Sequence, residues 1–144
     1  MKILFFDLKA YGPFTDKSID LLQGDEGFNI IYGPNEAGKS SALKAIRALL
    51  YGIPERTPDT FIHDGQKLRL GARIKHSGGA TLTFQRRKGR TKTLLTDNGE
   101  PLDDRALDKF LGGIDGLLFS TMFGINYNDL VLGGKEIIEG HGDV

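Results

Sequence analysis

The sequence predicts an α/β fold, a mixed sheet with one principal helix followed by an antiparallel β-meander. Three observations carry that expectation. An apolar run, Phe28-Asn29-Ile30-Ile31-Tyr32, leads directly into a glycine turn. The turn opens a segment whose apolar residues recur at intervals of three and four, the spacing of one helix face. Downstream, runs of alternating apolar and polar residues are separated by short turn sequences, as in hairpin-connected strands.

The elements follow in chain order. Residues 2–8 are a β-rich run broken by Tyr11-Gly12-Pro13, and residues 18–21 read as a short strand paired back on the first. Residues 28–32 read as a buried strand. A helix is expected over about residues 38–51, with Leu43, Ile46, Leu49 and Leu50 facing a sheet and Lys44 and Arg47 facing water. Gly52 and Pro54 end it, and residues 52–66 form a loop. Leu68, Leu70, Ala72 and Ile74 then alternate with Lys67, Arg69, Arg73 and Lys75, a half-buried strand with a basic outer face. Ala80, Leu82 and Phe84 mark the returning strand, and Lys88-Gly89-Arg90 turns the chain into a strand over residues 91–96 closed by Asp97-Asn98-Gly99. Short helices are expected near residues 104–111 and 115–122, and the Gly-rich last twenty residues are expected to form no closing element. Phe5, Phe6, Phe28, Phe84 and Phe119 are expected in the core.

Composition narrows the function classes. A chain of 144 residues, 39% apolar and 26% charged, has the length and make-up of one soluble globular domain. Nineteen basic residues balance nineteen acidic ones, so net charge names no partner. The absence of cysteine excludes disulfides, thiolate metal sites and a cysteine nucleophile. His63, His76 and His141 lack metal-ligand spacing. No run approaches the ~20 apolar residues of a membrane span, and Asp7 and Lys9 interrupt the opening where a signal peptide would be apolar. A cytoplasmic protein with no membrane partner is expected.

The glycine turn carries the chemistry. Gly33, Gly38, Lys39 and Ser40 satisfy G-x-x-x-x-G-K-[ST], with an apolar run before and an amphipathic helix after. Glycines let successive backbone N–H groups curl inward, and the unpaired N–H groups of the helix start face the same space. The candidate nucleotide-binding residues are Gly33, Pro34, Asn35, Glu36, Ala37, Gly38, Lys39, Ser40 and Ser41. Lys39 is expected to reach the β- and γ-phosphates of ATP, and the Ser40 hydroxyl to ligate Mg²⁺. Asn35 suits the ligand side, and Glu36 is expected to point away into solvent or toward a partner.

Hydrolysis needs an Asp–Glu pair at the end of an apolar strand, and no segment here supplies one. Thr93-Leu94-Leu95-Thr96-Asp97 comes nearest, but Asn98-Gly99 makes Asp97 a turn residue; Phe61-Ile62-His63-Asp64 is too short. Leu130-Val131-Leu132-Gly133-Gly134-Lys135 is like the L-S-G-G-Q signature of ABC dimers, but it lacks the serine and reads as a glycine turn.

The opening MKILFFDLKAYGPFTD, the loop YGPNEAGKSS, and the segments ALLYGIPERTPD, FQRRKGRTKTLLTDNGEPL and LLFSTMFGINYNDLVLGGKEIIEGHGDV occur in this order. This ordered set resembles the N-terminal half of ABC-type ATPase heads of the SMC/SbcC/RecF group, with YhaN-like bacterial proteins nearest. The resemblance implies a P-loop NTPase fold, residues 1–144 being the N-terminal lobe of a head. A coiled coil and a C-terminal lobe bearing the signature and the acidic strand would follow in the same protein. It implies that two heads sandwich ATP as a homodimer, and it suggests an SbcD-like nuclease as a partner. It sets residues 119–130 in the glutamine-loop region, with Asn126, Tyr127 and Asn128 where relatives carry a metal- and water-positioning glutamine. It also brings residues 9–13 near the nucleotide base.

Between Lys67 and Lys92 stand nine Lys or Arg and no Asp or Glu. Lys67, Arg69, Arg73 and Lys75 share a strand face, and Arg86, Arg87, Lys88, Arg90 and Lys92 cluster at the second turn. Such charge on a rigid sheet suits the phosphate backbone of DNA without base reading, although solvated basic strands also discourage edge pairing. Three functions therefore compete. One is an ATPase-head half that binds Mg-ATP and, once completed, drives DNA binding or processing in repair. The second is a self-contained P-loop kinase or GTPase. The third is a nucleotide-binding interaction module without turnover.

Overall fold

The computed structural model describes residues 1–22 and 28–139; His141, named above, lies outside them. Five strands form one sheet in the order β2-β1-β3-β4-β5. They are β1 (Lys2–Tyr11), β2 (Phe14–Asp20), β3 (Arg69–Lys75), β4 (Thr81–Arg87) and β5 (Leu94–Leu95). Every pairing among them is antiparallel. β1 and β2 make a hairpin around Gly12-Pro13, in which Tyr11 stands opposite Phe14. β1 is also bonded to β3, so the N-terminal hairpin and the later meander form one sheet.

One face of the sheet is covered. Helix α1 (Lys39–Tyr51) packs there through Ala42, Ala45, Ala48, Leu49 and Leu50. These meet Phe6, Leu8 and Tyr11 of β1, Leu70, Ala72 and Ile74 of β3, and Phe84 of β4. The buried stripe is thus centred on the alanines, while Leu43 and Ile46, expected to face the sheet, are only half-buried. Small residues let the helix axis approach the sheet and leave the leucine for another surface. Helices α2 (Asp108–Leu111), α3 (Gly116–Met122) and α4 (Tyr127–Ile138) follow the meander. Leu107 and Phe110 complete the core.

Five expectations are corrected. The described sheet is antiparallel throughout rather than mixed. Residues 28–32, expected as a buried strand, form no strand; Phe28 is 78% and Tyr32 90% exposed. An apolar run becomes a buried strand only beside neighbours that take up its N–H and C=O groups, and no described strand does so. Phe28 therefore leaves the expected core, whereas Phe6 and Phe84 lie in it. Finally, residues 130–135 lie inside α4 and not in a glycine turn. The strand expected over residues 91–96 shrinks to the two residues of β5 because residues 88–93 form an extended turn in which Lys92 takes φ +51°.

Candidate nucleotide site

Gly38 fixes the geometry of the predicted phosphate loop. It is the N-cap of α1 with φ +94° and ψ 13°, a left-handed backbone that side chains resist. Space demands glycine too, because a Cβ there would lie 2.7 Å from Phe14 Cζ and 3.6 Å from Pro13 Cγ. The first intrahelical bond runs from Ala42 N–H to Gly38 O at 2.8 Å. Lys39, Ser40 and Ser41 precede that bond, so their N–H groups point out of the helix end, where the helix dipole favours an anion.

The loop closes on its own lysine. Lys39 Nζ donates to Gly33 O at 2.6 Å and to Pro34 O at 2.7 Å, and Ala37 N–H donates to Pro34 O at 3.2 Å. The ammonium group is thus held at the loop mouth, and Lys39, Ser40 and Asn35 are all exposed. Glu36, the one acid in the motif, is exposed as expected and has φ +66°. A non-glycine residue in that region costs on the order of 1–2 kcal/mol.

A cleft of about 680 Å³ joins this loop to the start of α4. Ser40, Leu43, Lys44 and Arg47 of α1 form one wall; Phe119, Ser120, Gly124 and residues 126–129 form the other. The three residues at the glutamine-loop position thus lie across a cleft from the serine expected to hold Mg²⁺. Their side chains are not equivalent. Asn126 caps α4: its Oδ1 accepts from Asp129 N–H at 3.1 Å, and its own N–H donates to Asp129 Oδ2 at 3.2 Å. Tyr127 and Asn128, in the first turn of α4, are exposed to the cleft. The joint before them is set by aromatic packing, with Phe119 between Tyr51 of α1 (5.5 Å) and Phe123 (5.9 Å).

The basic candidates separate. Arg86 is only 7% exposed and belongs to the core face of β4 with Leu82 and Phe84. Its Nε donates to Leu49 O at 2.9 Å, Nη2 to Leu50 O at 3.0 Å and Nη1 to Thr93 Oγ1 at 2.7 Å. Arg86 is therefore withdrawn from the DNA candidates; it serves the carbonyl end of α1, whose last turn has no basic residue of its own. Burial pushes its guanidinium down to about 10, with the Asp104 charge opposing. The alternation Leu82, Phe84, Arg86 was the signal that placed it inside. Arg87 faces outward opposite Arg69, and holds the turn by donating to Lys92 O at 3.0 Å. Lys88 is half-buried, and Arg90 and Lys92 are exposed; Arg90 pairs with Glu55 at 2.6 Å. Arg73 and Lys75 stand exposed on the outer face of β3.

Asp97 occupies a turn, as expected, with Gly99 N–H donating to Thr96 O at 3.0 Å. No cluster of three His, Cys, Asp or Glu able to hold a metal occurs among the described residues, and no described helix is long and apolar enough to cross a membrane.

The chain is similar to known proteins. Over 142 residues the chain is 27% identical to the uncharacterized protein YhaN of Bacillus subtilis (strain 168), covering 95% of this chain and 14% of that protein. Over 125 residues it is 29% identical to the DNA replication and repair protein RecF of Lactobacillus johnsonii, covering 83% of this chain and 31% of that protein. The chain thus spans less than a third of the length of either relative. The ABC/SMC-like ATPase resemblance carried by its motifs stands, and with residues 1–144 matched by the family described as AAA domain, the chain belongs to that family.

Proposed function

We propose that the chain is the ATP-binding lobe of an ABC/SMC-like ATPase head with a P-loop NTPase fold. The observation that carries this reading is the Lys39 ammonium group held by the carbonyls of Gly33 and Pro34 in the same loop whose Gly38 caps the start of α1. On binding, the N–H groups at that helix start take the phosphate oxygens and the ammonium group exchanges two backbone carbonyls for the β- and γ-phosphates. Ser40 presents its hydroxyl to Mg²⁺. The Ser40 hydroxyl would be this chain's ligand to the ion, which would supply charge neutralisation at the β- and γ-phosphates. Asn128 and Tyr127 take the water-positioning place across the cleft, because Asn126 is committed to its helix cap.

The acidic pair needed for turnover comes from a C-terminal lobe of the same protein. Two exposed apolar segments support that docking: residues 28–32, and α4, where Leu130, Leu132, Ile137 and Ile138 are exposed. A second head then closes on the bound ATP. DNA lies along the β4–β5 turn, at Arg87, Lys88, Arg90 and Lys92, and on the outer face of β3, a role in keeping with the replication and repair named for the RecF relative. An SbcD-like nuclease is the natural partner of such a head. Titration of a fluorescent ATP analogue tests the core of this reading. The intact protein binds it with Mg²⁺, and Lys39→Ala weakens binding at least about tenfold; equal affinity in the variant rejects the phosphate site.

A further inference from the structure

Asp59 is the one buried carboxylate among the described residues, 6% exposed, and no described salt bridge reaches it. Burying a carboxylate without a cation is costly, and a strap that only packed would use an apolar residue. The carboxylate is instead occupied by hydroxyls. Its Oδ2 accepts from Tyr11 Oη–H at 3.1 Å and from Thr57 Oγ1–H at 3.0 Å. Asp59 N–H donates back to Thr57 Oγ1 at 3.2 Å, and Asp59 O accepts from Gly12 N–H at 3.1 Å. Residue 59 thereby grips two consecutive residues of the β1–β2 turn. Further along the same strap, His63 Nε2 lies 3.0 Å from Phe14 O and 2.8 Å from Thr15 Oγ1.

The other side of that turn touches the start of α1. Phe14 and Pro13 lie against Gly38 closely enough to exclude a Cβ. A Cβ at Gly12 would meet Asp59 Oδ1 at 3.7 Å and Ser41 Cβ at 3.8 Å. The turn is therefore wedged between a buried carboxylate and the residues that begin the phosphate-facing helix.

We propose that Asp59 is a positioning residue of the nucleotide site, holding the 11–14 turn so that Phe14 keeps Gly38 in the left-handed conformation that aims the following N–H groups at phosphate. The proposal rests on the phosphate-site reading of the 33–41 loop. The hydrogen bonds fix the wedge; without them Phe14 withdraws, Gly38 gains freedom, and bound nucleotide leaves sooner.

The test uses the intact protein, Mg²⁺ and a fluorescent ATP analogue, at a temperature where circular dichroism shows each variant fully folded. Asn retains an oxygen able to accept from both hydroxyls, and Ala does not. Asp59→Ala is expected to raise the dissociation constant about tenfold through faster release, Asp59→Asn to stay within about threefold, and Tyr11→Phe to raise it about threefold. A lower melting temperature with unchanged affinity in folded Asp59→Ala makes the residue structural only and overturns the proposal. Equal losses in the Asn and Ala variants overturn it as well. Should Asp59→Ala fail to fold, Tyr11→Phe decides, and unchanged affinity there is fatal. Lys39→Ala separates the two readings: if it binds like the native protein, the phosphate site itself is wrong and the proposal falls with it.

Discussion

Arg86 shows how a single residue is misassigned by composition and recovered by position. Counting charges across residues 67–92 groups it with Arg87, but strand alternation sends the two side chains to opposite faces of β4. Its three hydrogen bonds tie β4 and residue 93 to the last turn of α1. Arg86→Ala strips those donors and leaves the helix carbonyls unpaired in a dry site. Denaturant unfolding should show a loss of about 2–4 kcal/mol. Arg87→Glu combined with Arg90→Glu removes the exposed Arg87–Lys92 and Arg90–Glu55 contacts, so it should cost only about 1 kcal/mol of stability while weakening duplex DNA binding at low salt, as read by fluorescence anisotropy. Tyr11 gives a pH signature. Burial, with the Asp59 charge second, holds its phenol above the ordinary value near 10. Above that pH the unfolded chain loses the proton and the folded chain keeps it, so the folded state binds more protons and stability falls as pH rises. Thermal melts from pH 9 to 11 should show this fall, and Tyr11→Phe should flatten it.

At the element scale, legibility followed the local signals. α1 and the β3–β4 hairpin were readable because periodicity and turn residues agree over long stretches. The glycine motif was readable because its spacing is fixed by the loop it builds. The run at residues 28–32 misled because apolarity reports a demand for burial, not whether a partner strand lies within reach. α4 was missed because Gly133 and Gly134 each cost about 1 kcal/mol in a helix, yet the start signal was present in Asn126 and Asp129, three residues apart. Asn126→Ala should destabilise α4 by about 1 kcal/mol, visible as faster amide exchange in its first turn. The juxtaposition of residues 126–129 with Ser40 was expected only from family resemblance; no local pattern announces a contact between residues so distant in the chain.

For the whole molecule, one side of the sheet is finished and another surface is not. α1 covers the core face, while the apolar residues at 28–32 and along α4 remain exposed. The proposed head of two lobes would account for both facts, and for the proposed phosphate loop having no water-activating acids among the described residues. Residues 1–144 are expected to bind Mg-ATP with negligible turnover, and adding a C-terminal lobe is expected to restore phosphate release. Both expectations depend on residues 33–41 gripping the triphosphate. A crystal structure with Mg²⁺ and a non-hydrolysable ATP analogue tests it most directly. The predicted result has phosphate oxygens on the N–H groups of Lys39 and Ser40, with Lys39 Nζ released from Gly33 O and Pro34 O onto the β- and γ-phosphates. Nucleotide bound elsewhere, with Lys39 still on those two carbonyls, would contradict it.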